Sequence, residues 1–143
     1  MVLLYYLPII LTVIANVFYH IFQKMIPEKV DPIASLILTY CTALIGSLMV
    51  FVWYHKNINV IESFKGLNWT SCALGLSIIL LEFGFLLAYR VGWDISLGAI
   101  VSNVSVTLLL IPIGIIFFKE NISMANLIGI LLCIIGLVLI NSK

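Results

Sequence analysis

The chain has 143 residues, 64% of them hydrophobic and only 9% charged, with a mean hydropathy of +1.27. A water-soluble domain needs far more surface charge, so an ordinary soluble fold is excluded. The net charge of +1, with no basic run or acidic tail, argues against nucleic acid as a partner.

A helix needs about 20 mainly apolar residues to cross a hydrocarbon core of roughly 30 Å, and unpaired backbone cannot face lipid. Five runs meet or approach that length: Val2–Phe22, Ile33–Tyr54, Trp69–Tyr89, Ile95–Phe118 and Met124–Ile140. The expected fold is an all-α membrane protein with five transmembrane helices in a single domain over residues 1–143. The breaks carry turn chemistry in "KMIPEKVDP", "HKNINVIESFKGLN", "RVGWD" and "KENIS". The last two are short enough to require tight antiparallel hairpins.

The first run has neither a positively charged n-region nor an A-x-A-like cleavage site, so a retained helix is expected, not a signal peptide. Tyr5, Thr12, Asn16, Tyr19, His20 and Gln23 fall within about 60° of Asn16 at helical spacing, forming one stripe. Such a stripe faces other helices or a wet cavity, not lipid. Interhelical hydrogen bonds, each worth about 0.6–2 kcal/mol, are one account of it. A pathway lining is the other, with Asn16 and His20 as candidate residues, although His20 lies near the membrane edge, where a structural bond suits it well.

In the second run, Ser35, Thr39, Thr42 or Ala43, and Gly46 give small-xxx-small spacing, which favours close helix packing. Tyr40 lies off that face, in reach of a cavity. The segment "NINVIESF" that follows reads either as a small interfacial helix or as a plain loop. The third run holds the sharpest anomaly, Glu82 within "SIILLEFGFLLAYR". An ionised side chain at mid-membrane costs about 2.5–3.5 kcal/mol on insertion scales. Glu82 must therefore be protonated, paired or bathed in cavity water. Two roles stand: a structural carboxyl bonded to a neighbouring Asn or Tyr, or a group in substrate binding or proton coupling. Tyr89 shares its face and Arg90 lies two turns along.

The fourth run places Ser96, Ala99, Asn103, Thr107 and Gly114 on one small, polar face, with Pro112 inside the helix as a kink or a hinge. In the fifth, Gly129, Cys133 and Gly136 make a narrow small-residue face suited to helix packing. Cys41, Cys72 and Cys133, odd in number and without CxxC spacing, read as small buried hydrophobes, so neither a disulfide framework nor a metal site is expected. Glu120, beside Lys119, either orders its turn or assists the start of the fifth helix. Three glycosylation-like triplets begin at Asn68, Asn103 and Asn121; Asn103 lies too deep for modification, and all three are discounted.

With five crossings the termini lie on opposite sides. Lys56, Lys65 and Lys119 fall on the N-terminal side; Lys24, Lys29, Arg90 and Lys143 fall on the other. Orientation follows the Lys/Arg bias of short loops, and three against four gives almost no instruction. Insertion in both orientations and a single weakly biased orientation both remain open.

The segment "FFKENIS" followed by "LIGILLCIIGLVLIN" resembles the C-terminal part of an EamA-type repeat of the drug/metabolite transporter superfamily. The preceding helices fit the five-helix repeat in number and length. The glycine pattern is similar to that of the small multidrug resistance proteins, which implies that Gly129, Cys133 and Gly136 mark a dimer contact. Those proteins have four helices and an essential glutamate in helix 1. The corresponding position here is Asn16, and the intramembrane carboxylate is Glu82, so their mechanism does not transfer directly. Full-length EamA-type exporters resemble two repeats inverted relative to each other, with substrate at the interface near the midplane. The chain then matches one half of an inverted-repeat transporter fold. An antiparallel homodimer, or a heterodimer with a similar half, would supply the other.

The resemblance implies a transporter, by expectation an exporter, of a small metabolite or toxic compound in a bacterial plasma membrane; if that transport is coupled to protons, Glu82, the intramembrane carboxylate, is the residue to carry the coupling. No cofactor is expected. Glu82, Asn16, His20, Tyr40, Tyr89 and Asn103 are the candidate substrate and coupling residues. A lipid-linked sugar flippase subunit and a non-transporting accessory subunit are the alternatives. An enzyme is not expected, since HExxH, G-x-S-x-G and a second intramembrane carboxylate are all missing from the sequence.

Overall fold

A computed structural model describes residues 2–54 and 64–141, with side chains from Tyr5 to Tyr54 and from Phe64 to Ile140. The described residues form five helices: α1 (Val2–Met25), α2 (Pro32–Tyr54), α3 (Trp69–Arg90), α4 (Ile95–Phe118) and α5 (Met124–Asn141). Nearly all of "NINVIESF" lies outside the described residues.

Local chemistry sets the helix ends. Pro27 disfavours helical backbone in the residue before it, and α1 stops at Met25. Asp31 then caps α2, its Oδ1 accepting from the Ala34 amide at 2.9 Å, with Pro32 at the first helical position. Asn68 caps α3 by accepting from the Thr70 amide at 3.0 Å. The chain leaves α3 through Gly92, whose φ of 101° favours glycine. Ser123 caps α5, its hydroxyl accepting from the Asn126 amide at 3.2 Å.

Glu120 takes the first of its two expected roles, ordering the turn after α4. Lys119 adopts the left-handed conformation at φ 54°, and the Glu120 amide then donates to the Gly114 carbonyl at 3.1 Å. The Glu120 side chain folds back over Gly114, where an added Cβ would lie 2.5 Å from Oε2.

Four helices, α1 to α4, are long and apolar enough to cross a membrane. α5 is shorter at 18 residues, about 27 Å long. Large apolar side chains point outward along all of them, among them Val52, Leu80, Ile116 and Leu139. Such a surface calls for lipid or a protein partner.

The helices fall into two compact units. In one, made of Met1–His20 and Gly92–Lys143, α4 packs on α5, and Gly98, Gly114 and His20 are buried. In the other, Ile21–Val91, α2 packs on α3 around Leu36, Leu86 and Tyr89, with Gln23 buried beside them.

The three cysteines are free, as expected, but exposed, which corrects their reading as buried hydrophobes. So few side chains are buried within the chain that most small apolar residues are left on helix surfaces.

Candidate functional site

Glu82 sits on α3, eight residues before the helix ends at Arg90, which places it about 12 Å inside that end. It is half-buried, with Oε2 fully so. Two helices bring polar side chains to this level.

From the last turns of α1, the Gln23 side-chain amide donates to the Glu82 main-chain carbonyl at 2.7 Å. A carbonyl oxygen has two lone pairs, so it can accept this bond beside its helical one. From α2, the Tyr40 hydroxyl lies within interaction range of the Glu82 carboxyl group. The pair stops short of an ordinary hydrogen bond, because Tyr40 Oη and Glu82 Oε2 are both buried without a partner of regular geometry.

Towards the end of α3 the character changes. The Lys24 ammonium donates to the Tyr89 carbonyl at 3.2 Å and stands 5.6 Å from the centre of the Tyr89 ring, in cation–π range. Tyr89 also stacks on Phe85 at 5.9 Å. Arg90 donates to the Val30 carbonyl, tying the end of α3 to the α1–α2 loop. Gln23 and Lys24 are adjacent, yet they reach points seven residues apart on α3, roughly 10 Å along its axis. The lysine covers that distance by snorkelling toward the polar end while its neighbour reaches inward.

The structure therefore brings Tyr40 to Glu82 and places Tyr89 farther along the same unit. Asn16, His20 and Asn103 belong to the other unit. There His20 is buried and packs edge-on against Tyr19, with ring centres 5.1 Å apart. Asn16 and Asn103 are exposed. Pro112 lies inside an α4 that continues through it. On α5, Gly129 and Cys133 are exposed and Gly136 half-buried, and a Cβ added to either glycine would meet nothing within 4 Å.

Gln23 is the site residue that sequence pattern places on the α1 stripe without singling it out. Its bond to the Glu82 carbonyl distinguishes it from the rest of that stripe. Thr12, for example, is exposed and donates to the Pro8 carbonyl in its own helix at 2.9 Å. Among the described residues no group of three or more His, Cys, Asp or Glu side chains is arranged to hold a metal ion. What the arrangement offers chemically is one carboxyl that can hold a proton or meet a cation, a phenol beside it, and an amide that fixes the backbone carrying it.

No curated protein and no solved structure matches the chain. The family model of the EamA-like transporters matches residues 3–142, which takes in all five helices almost from end to end. A match over that length shows that the chain belongs to the EamA-like transporter family.

Proposed function

We propose that this integral membrane protein exports a small metabolite or toxic compound from a bacterial cell, working as an antiparallel dimer and coupling transport to protons through Glu82. Membership of a transporter family supplies the general activity. The observation that carries the finer reading is the meeting of Glu82 and Tyr40: a carboxyl oxygen and a phenol, both buried without a partner of regular geometry on otherwise lipid-facing helices. Structural polar groups in a membrane are bonded, and an unbonded ionisable one marks a pathway or relay.

Several features support the dimer. The chain supplies five helices, one repeat in the two-repeat arrangement of inverted transporters. The open small-residue face of α5 suits a helix partner. The nearly balanced Lys/Arg count suits insertion in both orientations. The dimer further requires α5 to cross the bilayer, which its 18 residues allow at the short end of the usual range.

The test is proton flux in reconstituted vesicles. Acid-loaded vesicles carrying the protein are exposed to small amines, amino acids and aromatic cations in turn, and internal pH is followed. At least one compound should drive proton release. Glu82→Gln should abolish that release and Glu82→Asp should retain part of it. A Glu82→Gln protein with full proton-dependent transport would falsify the coupling assignment.

A further inference from the structure

A second polar site lies at the end of the α2–α3 unit, away from the Glu82 carboxyl. Gln23, Lys24 and Glu28 from the end of α1 and its following loop meet Leu86, Tyr89 and Arg90 of α3 around a cavity of about 50 Å³. That is room for several waters or one compact polar group, since a single water needs about 10–15 Å³ by the same kind of measure.

Three observations give this cavity a chemistry. Two of its walls are cations, Lys24 and Arg90, which sit in the last turns of α1 and α3. These helices run in the same direction, with one helix between them in the chain, so in a membrane both ends reach the same headgroup region. The third observation is Arg90 Nε, which is buried with no hydrogen-bond partner among the described residues, although the terminal guanidinium nitrogen bonds the Val30 carbonyl. The guanidinium at the cavity wall, with its planar fork of donors, suits a tetrahedral oxyanion.

We infer that this cavity binds the phosphodiester group of a phospholipid from the surrounding leaflet. Charge favours a diester over free phosphate. Lys24 and Arg90 bring two positive charges and Glu28 one negative charge, leaving a single net positive charge to meet a group that carries a single negative one. A phosphate dianion would face the Glu28 carboxylate with one charge unbalanced. Position favours the lipid as well, because basic pockets between helices at the membrane surface are where headgroups are recognised. The bond from Lys24 to the Tyr89 carbonyl and that from Arg90 to the Val30 carbonyl hold both cations at the cavity wall before a ligand arrives.

The full chain purified in detergent tests the assignment. Its unfolding midpoint is measured with added phosphatidylglycerol, with a neutral diacylglycerol of the same acyl chains, and with inorganic phosphate. Bound lipid is counted in parallel by native mass spectrometry. Phosphatidylglycerol should raise the midpoint by several degrees and leave about one extra lipid per chain, while the other two additives do neither. Lys24→Gln and Arg90→Lys should each lose more than half of the lipid-induced shift. Lys29→Gln, which removes a charge from the same loop but not from the cavity wall, should keep it. Comparing shifts with and without lipid separates binding from any change in basal stability, and lipid counting covers a variant too unstable to melt cleanly. An equal shift with diacylglycerol would show that acyl chains alone bind, and an equal shift with phosphate would show a soluble anion site. Equal loss in Lys29→Gln would show diffuse surface charge. Each of these three results overturns the inference.

Discussion

Gln23 and Glu82, 59 positions apart in sequence, are joined by a 2.7 Å hydrogen bond from a side-chain amide to a main-chain carbonyl. The bond ties the end of α1 to the α3 backbone at the residue whose carboxyl group is the most expensive in the membrane. Gln23→Leu keeps the volume and removes the donor. It should destabilise the protein by about 0.6–2 kcal/mol, the range for interhelical bonds in membranes, as read from unfolding in increasing sodium dodecyl sulfate. The Glu82 carbonyl keeps its helical bond, so the loss should not exceed that range. A variant as stable as the parent would mean that the amide contributes nothing to holding α1.

Tyr40→Phe makes the opposite prediction. The Tyr40 hydroxyl is buried without a partner of regular geometry, and deleting an unsatisfied group is nearly neutral or even stabilising. The unfolding midpoint should stay within about 0.5 kcal/mol of the parent, the usual range for substitutions that break no structural feature. Proton-linked flux should fall several-fold, because the phenol facing Glu82 is gone. Unchanged flux would remove Tyr40 from the candidate pathway. A large loss of stability would show instead that the hydroxyl has a structural partner.

The helices were legible because their lengths and breaks follow directly from apolar runs and turn residues. α1 extends three residues past the expected Phe22 because Pro27, and not polar Gln23, ends it. Glu82 was legible as an anomaly for the same reason: a carboxylate within such a run has few explanations. Its neighbours were not. Helical periodicity says which residues share a face and is silent on what that face meets, so the pairing of Gln23 and Tyr40 with Glu82 emerges only from packing. Spacing also cannot tell a pathway hydroxyl from one that bonds its own helix. Thr12, Thr39, Thr42 and Thr107 all donate to the carbonyl four residues back, which satisfies the hydroxyl without any cavity.

At the α4–α5 turn, Lys119 holds a left-handed conformation usually left to Gly or Asn. Lys119→Gly should therefore stabilise the protein, by about 0.5–1 kcal/mol after the extra freedom of glycine in the unfolded chain is set against the relief. Gly114→Ala should have the reverse effect, since its Cβ meets the Glu120 carboxylate at 2.5 Å. The carboxylate is the end of a flexible side chain and can swing away, so the cost should stay near 1 kcal/mol, the centre of the range for point mutations. Glu120→Ala should abolish most of it. A double-mutant cycle measured by unfolding checks the pair, and additive effects would mean that the two residues do not interact.

The geometry of α5 separates antiparallel from parallel dimers. Gly129 stands five residues from the first residue of α5 and Gly136 five from the last, so the two are equally distant from its middle. Crossing α5 with an inverted copy at mid-helix lays Gly129 against Gly136 of the copy. A parallel pair lays each glycine against itself. Both positions have open space around them, so Gly129→Cys and Gly136→Cys should fold in a background with Cys41, Cys72 and Cys133 replaced by serine. The two variants, tagged differently and co-expressed, are oxidised in the membrane. The antiparallel dimer predicts a disulfide between the two tags and little within either. Disulfides within each tag and none between them would establish a parallel pair, with no inverted half to complete a transport pathway. The absence of either product would move the dimer seam away from this pair of glycines.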